Sequence, residues 1–141
     1  MTAASFESIN IGDELPPLNK HIVHVEIMMY QAVTWDFTRV HYDREFVART
    51  MGLPNVFVDG QMLGAYLSQA LTQWLGLAGW PRKLRYRFRD FVYPGDTITC
   101  KGKVTAKYVK DGEKLVDCEM WMENQKGELM VAPATATVVF Y

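Results

Sequence analysis

The stretch 59–77, DGQMLGAYLSQALTQWLGL, decides the reading of the fold. Leu63, Tyr66, Leu67, Ala70, Leu71, Trp74 and Leu75 recur at i, i+3 and i+4 spacing. On a 3.6-residue period they form one wide apolar stripe, which predicts a helix over 60–77. Asp59 is its candidate N-cap, because a carboxylate can accept one of the N–H groups that a helix start leaves free. Gly76 or Gly79 supplies the stop. Gly64, Ala65 and Ser68 put small residues on another face, which permits close approach of a sheet or a partner subunit and is equally compatible with solvent exposure.

Beyond Pro81 the period changes to two. Leu84, Tyr86 and Phe88 alternate with Arg85, Arg87 and Arg89. Ile98, Cys100, Gly102, Val104, Ala106 and Tyr108 alternate with Thr99, Lys101, Lys103, Thr105 and Lys107. Val116, Cys118, Met120 and Met122 form a further row opposite Asp117, Glu119 and Glu123. Asp111-Gly112 and residues 124–127 are turn signals, and 129–141 reads as a last strand. Pro133 within it demands an edge or a bulge. Upstream, 6–20 reads as an irregular lead-in broken by Gly12, Pro16 and Pro17. Partial alternation predicts a strand over 21–28, followed by a short helix starting over 29–36. A second short helix is predicted over 43–51, with Asp43 before it and Gly52 after it. Several one-sided antiparallel strands and one long apolar helix imply an α+β fold, with the helix laid across the concave face of the sheet.

The chain has 141 residues and a mass of 16.2 kDa, which predicts one domain over 1–141. A composition of 49% hydrophobic and 22% charged residues excludes a disordered chain. A net charge of −1 gives no field that recruits nucleic acid or an anionic membrane. Cys100 and Cys118 have neither CxxC spacing nor a histidine cluster, so they read as small buried hydrophobes rather than zinc ligands or a disulfide framework. The longest apolar segment, 62–80, is broken by Gln69, Thr72 and Gln73, so no membrane span is predicted. No basic, then apolar, leader pattern opens the sequence, and a cytoplasmic protein is the expectation.

GxGxxG, P-loop, HExxH and GxSxG motifs are absent from the sequence. What remains is the polar group WDFTRVHYD, 35–43. Asp36 and His41 can converge if the chain turns between them, and a carboxylate with an imidazole on one water is a general acid–base arrangement. The same spacing also suits a solvated loop in which Asp36 makes a turn bond and His41 lies at the surface. Asp59-Gly60-Gln61 offers a helix N-terminus whose free N–H groups can bind developing negative charge, or simply a capped helix start. Arg85, Arg87 and Arg89, with Lys83, can hold the phosphates of a large anionic substrate, or form a solvated strand face. His21 and His24 read as strand or surface residues, and Trp74, Trp80 and Trp121 as core or interface residues.

With these motifs the chain resembles the MaoC-like dehydratase family, which includes the (R)-specific enoyl-CoA hydratases of the hotdog fold. IGDELPPLNK resembles the family's opening segment. Residues 36–43, DFTRVHYD, resemble its Asp-x-Asn-Pro-x-His-x-Asp loop. Asp59-Gly60-Gln61 falls where the family reads His-Gly-Met at the start of its long helix, and 93–98, YPGDTI, resembles its Pro-Gly-Asp-Thr turn. The resemblance implies a long central helix wrapped by an antiparallel sheet. It implies that Asp36 and His41 hold and activate a water, which adds with syn geometry to a trans-2-enoyl-CoA to give a (3R)-3-hydroxyacyl-CoA. The Gly60 N–H would donate to the thioester oxygen. Arg39, Asp59, Gln61, Arg85, Arg87 and Arg89 are the candidate substrate-binding residues. Neither a metal nor a redox cofactor is implied, and the CoA thioester is the substrate. Two departures stand out. Thr38-Arg39 replaces Asn-Pro, with Arg39 free to pair with Asp36 or to contact CoA phosphate, and Asp59 replaces histidine. The DFxxVHxD form is similar to small single-hotdog subunits of some steroid or sterol side-chain hydratases, which work beside a second MaoC-like subunit. The expected partners are therefore an acyl-CoA and a second subunit, in a homodimer or a heterodimer, with no nucleic acid and no membrane. A hotdog acyl-CoA thioesterase and a non-catalytic subunit of a heteromeric hydratase are the alternative readings.

Overall fold

The computed structural model describes residues 4–141. In chain order its elements are β1 (Leu18–His21), α1 (His24–Thr34), a 3-10 turn (Arg39–His41), α2 (Arg44–Met51), α3 (Gly60–Leu75), β2 (Gly79–Phe88), β3 (Thr97–Lys110), β4 (Glu113–Glu123) and β5 (Leu129–Phe140). The strands form one antiparallel sheet in the order β1-β3-β4-β5-β2. The predicted apolar stripe is the reason α3 sits where it does. Leu63, Leu67, Ala70, Leu71 and Leu75 are buried, and Tyr66 and Trp74 pack on the edge of the same core. Facing them from the sheet are Ile98, Cys100 and Val104 of β3, Val116, Cys118, Met120 and Met122 of β4, and Ala134, Ala136 and Val138 of β5. A helix wrapped by a curled antiparallel sheet is the hotdog arrangement expected from the sequence. Burial pushes the Cys100 and Cys118 thiols up to about 12, so both remain small apolar fillers.

Small residues on α3 set how closely the sheet approaches. A Cβ on Gly64 would overlap the Tyr86 ring and hydroxyl, and a Cβ on Gly60 would overlap the Phe88 ring. Tyr86 and Phe88, on the α3 side of β2, therefore lie in a groove made by two glycines one turn apart. Of the small residues noted in the sequence, Gly64 serves the sheet, while Ala65 is exposed.

Two expectations are corrected. The strand predicted over 21–28 is instead the end of β1 followed by α1, which begins at His24. The residues buried on α1 are Ile27 and Gln31, four apart, while Val25, Met29 and Val33 are exposed. Apolar residues on the outer helix face produced the misleading alternation. Secondly, a bulge between Val104 and Ala106 inverts the alternation of β3. Pro133 meets its expectation: β5 is an interior strand, and three of its steps, Val131 to Ala134, face two steps of both β4 and β2, so the proline sits in a bulge. In β3 the inversion moves two side chains. Lys107 pairs with buried Val116 and donates to the Ile9 carbonyl at 2.9 Å, while Tyr108 turns to the other face, near Asp117.

The lead-in is ordered along β3. Gly12 and Leu15 donate to the Val104 and Gly102 carbonyls, and Val104 returns a bond to the Asp13 carbonyl. The Pro94-Gly95-Asp96 turn is structural. Gly95, at φ 97°, donates to the Ile22 carbonyl, and Ile22 donates to the Asp96 carbonyl, each at 2.8 Å. This pair fixes the junction of β1 and α1, from which the chain reaches the site.

Candidate active site

Asp36 is placed by the end of α1. Trp35 closes the helix in the left-handed region, at φ 58°, and Asp36 N–H donates to the Gln31 carbonyl at 3.0 Å. The carboxylate then folds onto its own loop. Asp36 Oδ1 accepts from Thr38 N–H at 3.1 Å and from Thr38 Oγ1 at 2.5 Å. Thr38 thus fixes the turn that proline would otherwise fix. These bonds, the hydroxyl first, hold the Asp36 carboxyl below its ordinary value. Arg39 turns away from Asp36. It pairs with Asp43 Oδ2 at 2.6 Å and lies over the Phe46 ring at 4.3 Å. Asp43 caps α2 by accepting Phe46 N–H at 2.9 Å, as its place in the sequence predicts.

His41 closes the 3-10 turn and is buried, with 7% of its surface exposed. Its Nδ1 lies 2.7 Å from the Phe57 carbonyl oxygen. A carbonyl only accepts, so Nδ1 carries a proton and donates it, and Nε2 is the ring atom turned to the site. Asp59, 5% exposed, caps α3 with Oδ1, which accepts Gln61 N–H at 2.6 Å. Its other oxygen, Oδ2, lies 3.9 Å from His41 Nε2. One donor atom each from Asp36, His41 and Asp59 lies within 4.8 Å of the other two. The sequence-predicted pair is therefore brought together, and Asp59 joins it.

Gly60, one residue on, is the first residue of α3, so its N–H has no intrahelical acceptor. It opens on a cleft of about 330 Å³ with Leu63 at its base and Phe57, Phe88 and Phe91 as walls. The Phe57 and Phe91 rings lie 4.6 Å apart. Arg89 and Asp90 form the rim. Phe57 thus serves twice, its carbonyl orienting His41 and its ring lining the cleft. Arg89 borders both this cleft and a hollow lined by Lys103, Glu119, Trp121 and Pro133, and donates through Nε to the Ala132 carbonyl on the side of that hollow; Arg85 and Arg87 are exposed on the sheet face away from α3 and do not line the cleft. The Gln61 side chain is exposed, and its contribution to the geometry is the capped N–H.

Three contributors were missed from the sequence. Thr38 carries a readable signal, Asp-x-Thr, which favours a side-chain turn. Phe57 carries none, because it acts through its carbonyl. Gln31, fully buried with a side-chain amide that has no partner among the described residues, acts on Asp36 through its backbone.

Asp36, His41 and Asp59 are also the described residues that could hold a metal. Direct coordination at ~2.0–2.2 Å places tetrahedral ligand atoms ~3.3–3.6 Å apart. The 3.9 Å separation of Nε2 and Oδ2 is already wider. A hydrogen-bonded water at ~2.7–2.9 Å spreads its partners to ~4.4–4.7 Å. The 3.9 Å separation thus falls between the two ranges, and the set is compact enough to surround a single small species. Chemically, the arrangement offers proton acceptors around a water, an open N–H at a helix start and an apolar cleft beside them. Among the described residues, no helix is long and apolar enough to cross a membrane.

Comparison with solved structures returns the same architecture. The (R)-hydratase from A. caviae involved in PHA biosynthesis superposes with a TM-score of 0.84 at 26% identity, covering 96% of this chain and 99% of that one. The ChsH1-ChsH2 complex from Mycobacterium tuberculosis gives a TM-score of 0.80 at 28% identity, covering 94% and 98%. R-hydratase PhaJ1 from Pseudomonas aeruginosa gives 0.85 at 22% identity, covering 96% and 84%, and this likeness speaks to the fold. The comparison with curated proteins finds no match. The MaoC like domain family matches residues 9–124, across the lead-in, the Asp36–Asp43 loop, α3 and most of the sheet, and the chain belongs to that family.

Proposed function

We propose that the protein is an (R)-specific enoyl-CoA hydratase, running also as a dehydratase in reverse. The observation that carries this reading is the convergence of Asp36 and His41 beside the free N–H of Gly60. His41, its Nδ1–H held by the Phe57 carbonyl, takes a proton from water through Nε2. Asp36, fixed by Thr38, orients that water as an ionised acceptor. The water oxygen bonds to Cβ of the trans-2-enoyl thioester, and the C=C electron pair moves toward the thioester oxygen. The Gly60 N–H at the α3 N-terminus stabilises the charge that develops there. The site then delivers a proton to Cα, matching the one His41 has taken from water, which completes the addition of one water and gives the (3R)-3-hydroxyacyl-CoA. Protein side chains and water carry the whole sequence, and the reading needs neither a metal nor a redox cofactor.

The aromatic cleft beside Gly60 suits the acyl portion, and Arg89 at its rim suits the anionic carrier. The assay is loss of the enoyl chromophore of crotonyl-CoA and of a longer enoyl-CoA, with free thiol followed in parallel. Hydration without thiol release, abolished in Asp36→Asn and His41→Ala, supports the reading. Thiol release would replace it with a thioesterase.

A second subunit is part of the proposal. Val25, Met29, Val33, Trp35 and Phe37 expose apolar surface along α1 and into the Asp36 loop, and Trp35 is 81% exposed beside Asp36. Contiguous apolar surface of this kind marks an interface. Both the homodimer and a heterodimer with a second MaoC-like chain fit it, and the ChsH1-ChsH2 neighbour favours considering the latter. A mass measurement in solution separates a lone dimer from a monomer that gains activity only with a partner.

A further inference from the structure

We propose that Asp59 is a third catalytic acceptor of the nucleophilic water, and that the three-acceptor site consequently carries one proton of its own. The inference rests on the hydratase reading and assigns a role to a residue which that reading leaves as a helix cap. Asp59 is buried, and only one of its oxygens is used by the cap. Oδ1 accepts Gln61 N–H at 2.6 Å. Oδ2 faces His41 Nε2 at 3.9 Å, too far for a direct hydrogen bond. With Asp36 completing a set within 4.8 Å, the three atoms lie close enough together to face one water.

Hydrogen-bond counting then sets the proton inventory. A water donates two bonds and accepts two. His41 has Nδ1–H committed to the Phe57 carbonyl, which leaves Nε2 as its acceptor atom toward the water. The Asp36 and Asp59 carboxylate oxygens are acceptors as well. Three acceptors face two O–H groups, so one of the three holds a proton and donates it to the water. With Asp36 and His41 alone the count closes without an added proton. The third acceptor is what introduces it.

The added proton fits the reaction. As the water oxygen bonds to Cβ, one water proton passes to the acceptor it faces, and the cluster's own proton is delivered to Cα as the enolate collapses. One O–H bond of water breaks, one C–O and one C–H bond form, and the C=C pair is consumed. The captured proton replaces the delivered one, so the cluster ends with the proton count it began with and draws none from bulk solvent.

Asp59→Asn and Asp59→Ser both keep an oxygen able to cap α3, so the helix start survives in each. The expected result is kcat lowered by about 10- to 100-fold in both, with KM for crotonyl-CoA and thermal midpoint near wild type. If Asp36→Asn and His41→Ala are inactive while both Asp59 variants stay within about 3-fold of wild type, the proposal falls and the hydratase reading stands. If Asp36→Asn and His41→Ala keep their activity, the hydratase reading itself falls. A crystal structure of the wild-type protein decides the geometry independently of turnover. One water within about 3.2 Å of Asp36, His41 and Asp59 is expected. A water touching only two of them, or a metal ion in its place, overturns the proposal.

Discussion

His41 has two separable jobs, and two substitutions take them apart. Its Nδ1–H donates to the Phe57 carbonyl at 2.7 Å, and its Nε2 faces the water site. An asparagine side chain reaches only as far as Nδ1, so His41→Asn keeps a donor for the carbonyl and deletes Nε2. A glutamine reaches as far as Nε2, so His41→Gln keeps a polar group there and leaves the Phe57 oxygen without its donor. Stranding a buried carbonyl costs about 1–3 kcal/mol, and the partly buried setting of this bond puts the loss near 1 kcal/mol. For a chain of this length that lowers the thermal midpoint by roughly 3–4 °C. Loss of the general base costs 100-fold or more in rate, about 2.7 kcal/mol of barrier. The expectation is that both variants lose hydration of crotonyl-CoA by at least ~100-fold, while only His41→Gln loses the 3–4 °C. Thermal melts and initial rates on the same preparations read both quantities. His41→Asn with more than about a tenth of the wild-type rate refutes Nε2 as the base. Equal midpoints for the two variants refute the carbonyl tether.

Thr38→Val removes the hydroxyl that holds the Asp36 carboxyl down, so the acid limb of the rate profile moves to higher pH. The sign follows from linkage. A depressed carboxyl contributes stability in full above its unfolded value and loses it as pH falls through the folded value, so the window lies below pH 3.8 in the wild type. An unmoved acid limb in Thr38→Val counts against Asp36 as the ionised partner. Arg89→Gln is expected to raise KM for CoA substrates several-fold more than Arg85→Gln or Arg87→Gln, because only Arg89 lines the cleft. Equal effects in kinetics would restore the three arginines as one phosphate-binding row. Gly64→Ala places a Cβ in the Tyr86 ring, and ~1–3 kcal/mol of overpacking outweighs the ~1 kcal/mol gained in helix propensity. The melting midpoint is expected to fall in the wild-type background and to rise when Tyr86→Ala has already emptied the groove.

The sequence by itself determined the elements whose physics is local. The α3 stripe and its cap could be read because a helix that buries one face repeats its apolar residues every turn, and Asp59 sits where free N–H groups need an acceptor. The same holds for β4, where Val116, Cys118, Met120 and Met122 all reach the core. Asp36 and His41 could be named as a pair because five residues of loop suffice to fold one toward the other. The first part of α1, up to Met28, could not be read, because its exposed face is as apolar as its buried one, and only a neighbour decides which of two apolar faces is covered; the helix over 29–34 was legible. The bulge at Thr105 was likewise hidden, since an extra residue is visible only against the strand beside it, whereas Pro133 announced its own bulge by lacking an N–H for the ladder. The tertiary structure alone brought Asp59 to His41 and placed Arg89, but not Arg85 or Arg87, at the border of the cleft. It also oriented the His41 ring through the Phe57 carbonyl. Those are through-space relations between residues 16 or more apart in the chain. Residue types and spacing fix which groups are present; the distances between them come from packing α3 into the sheet.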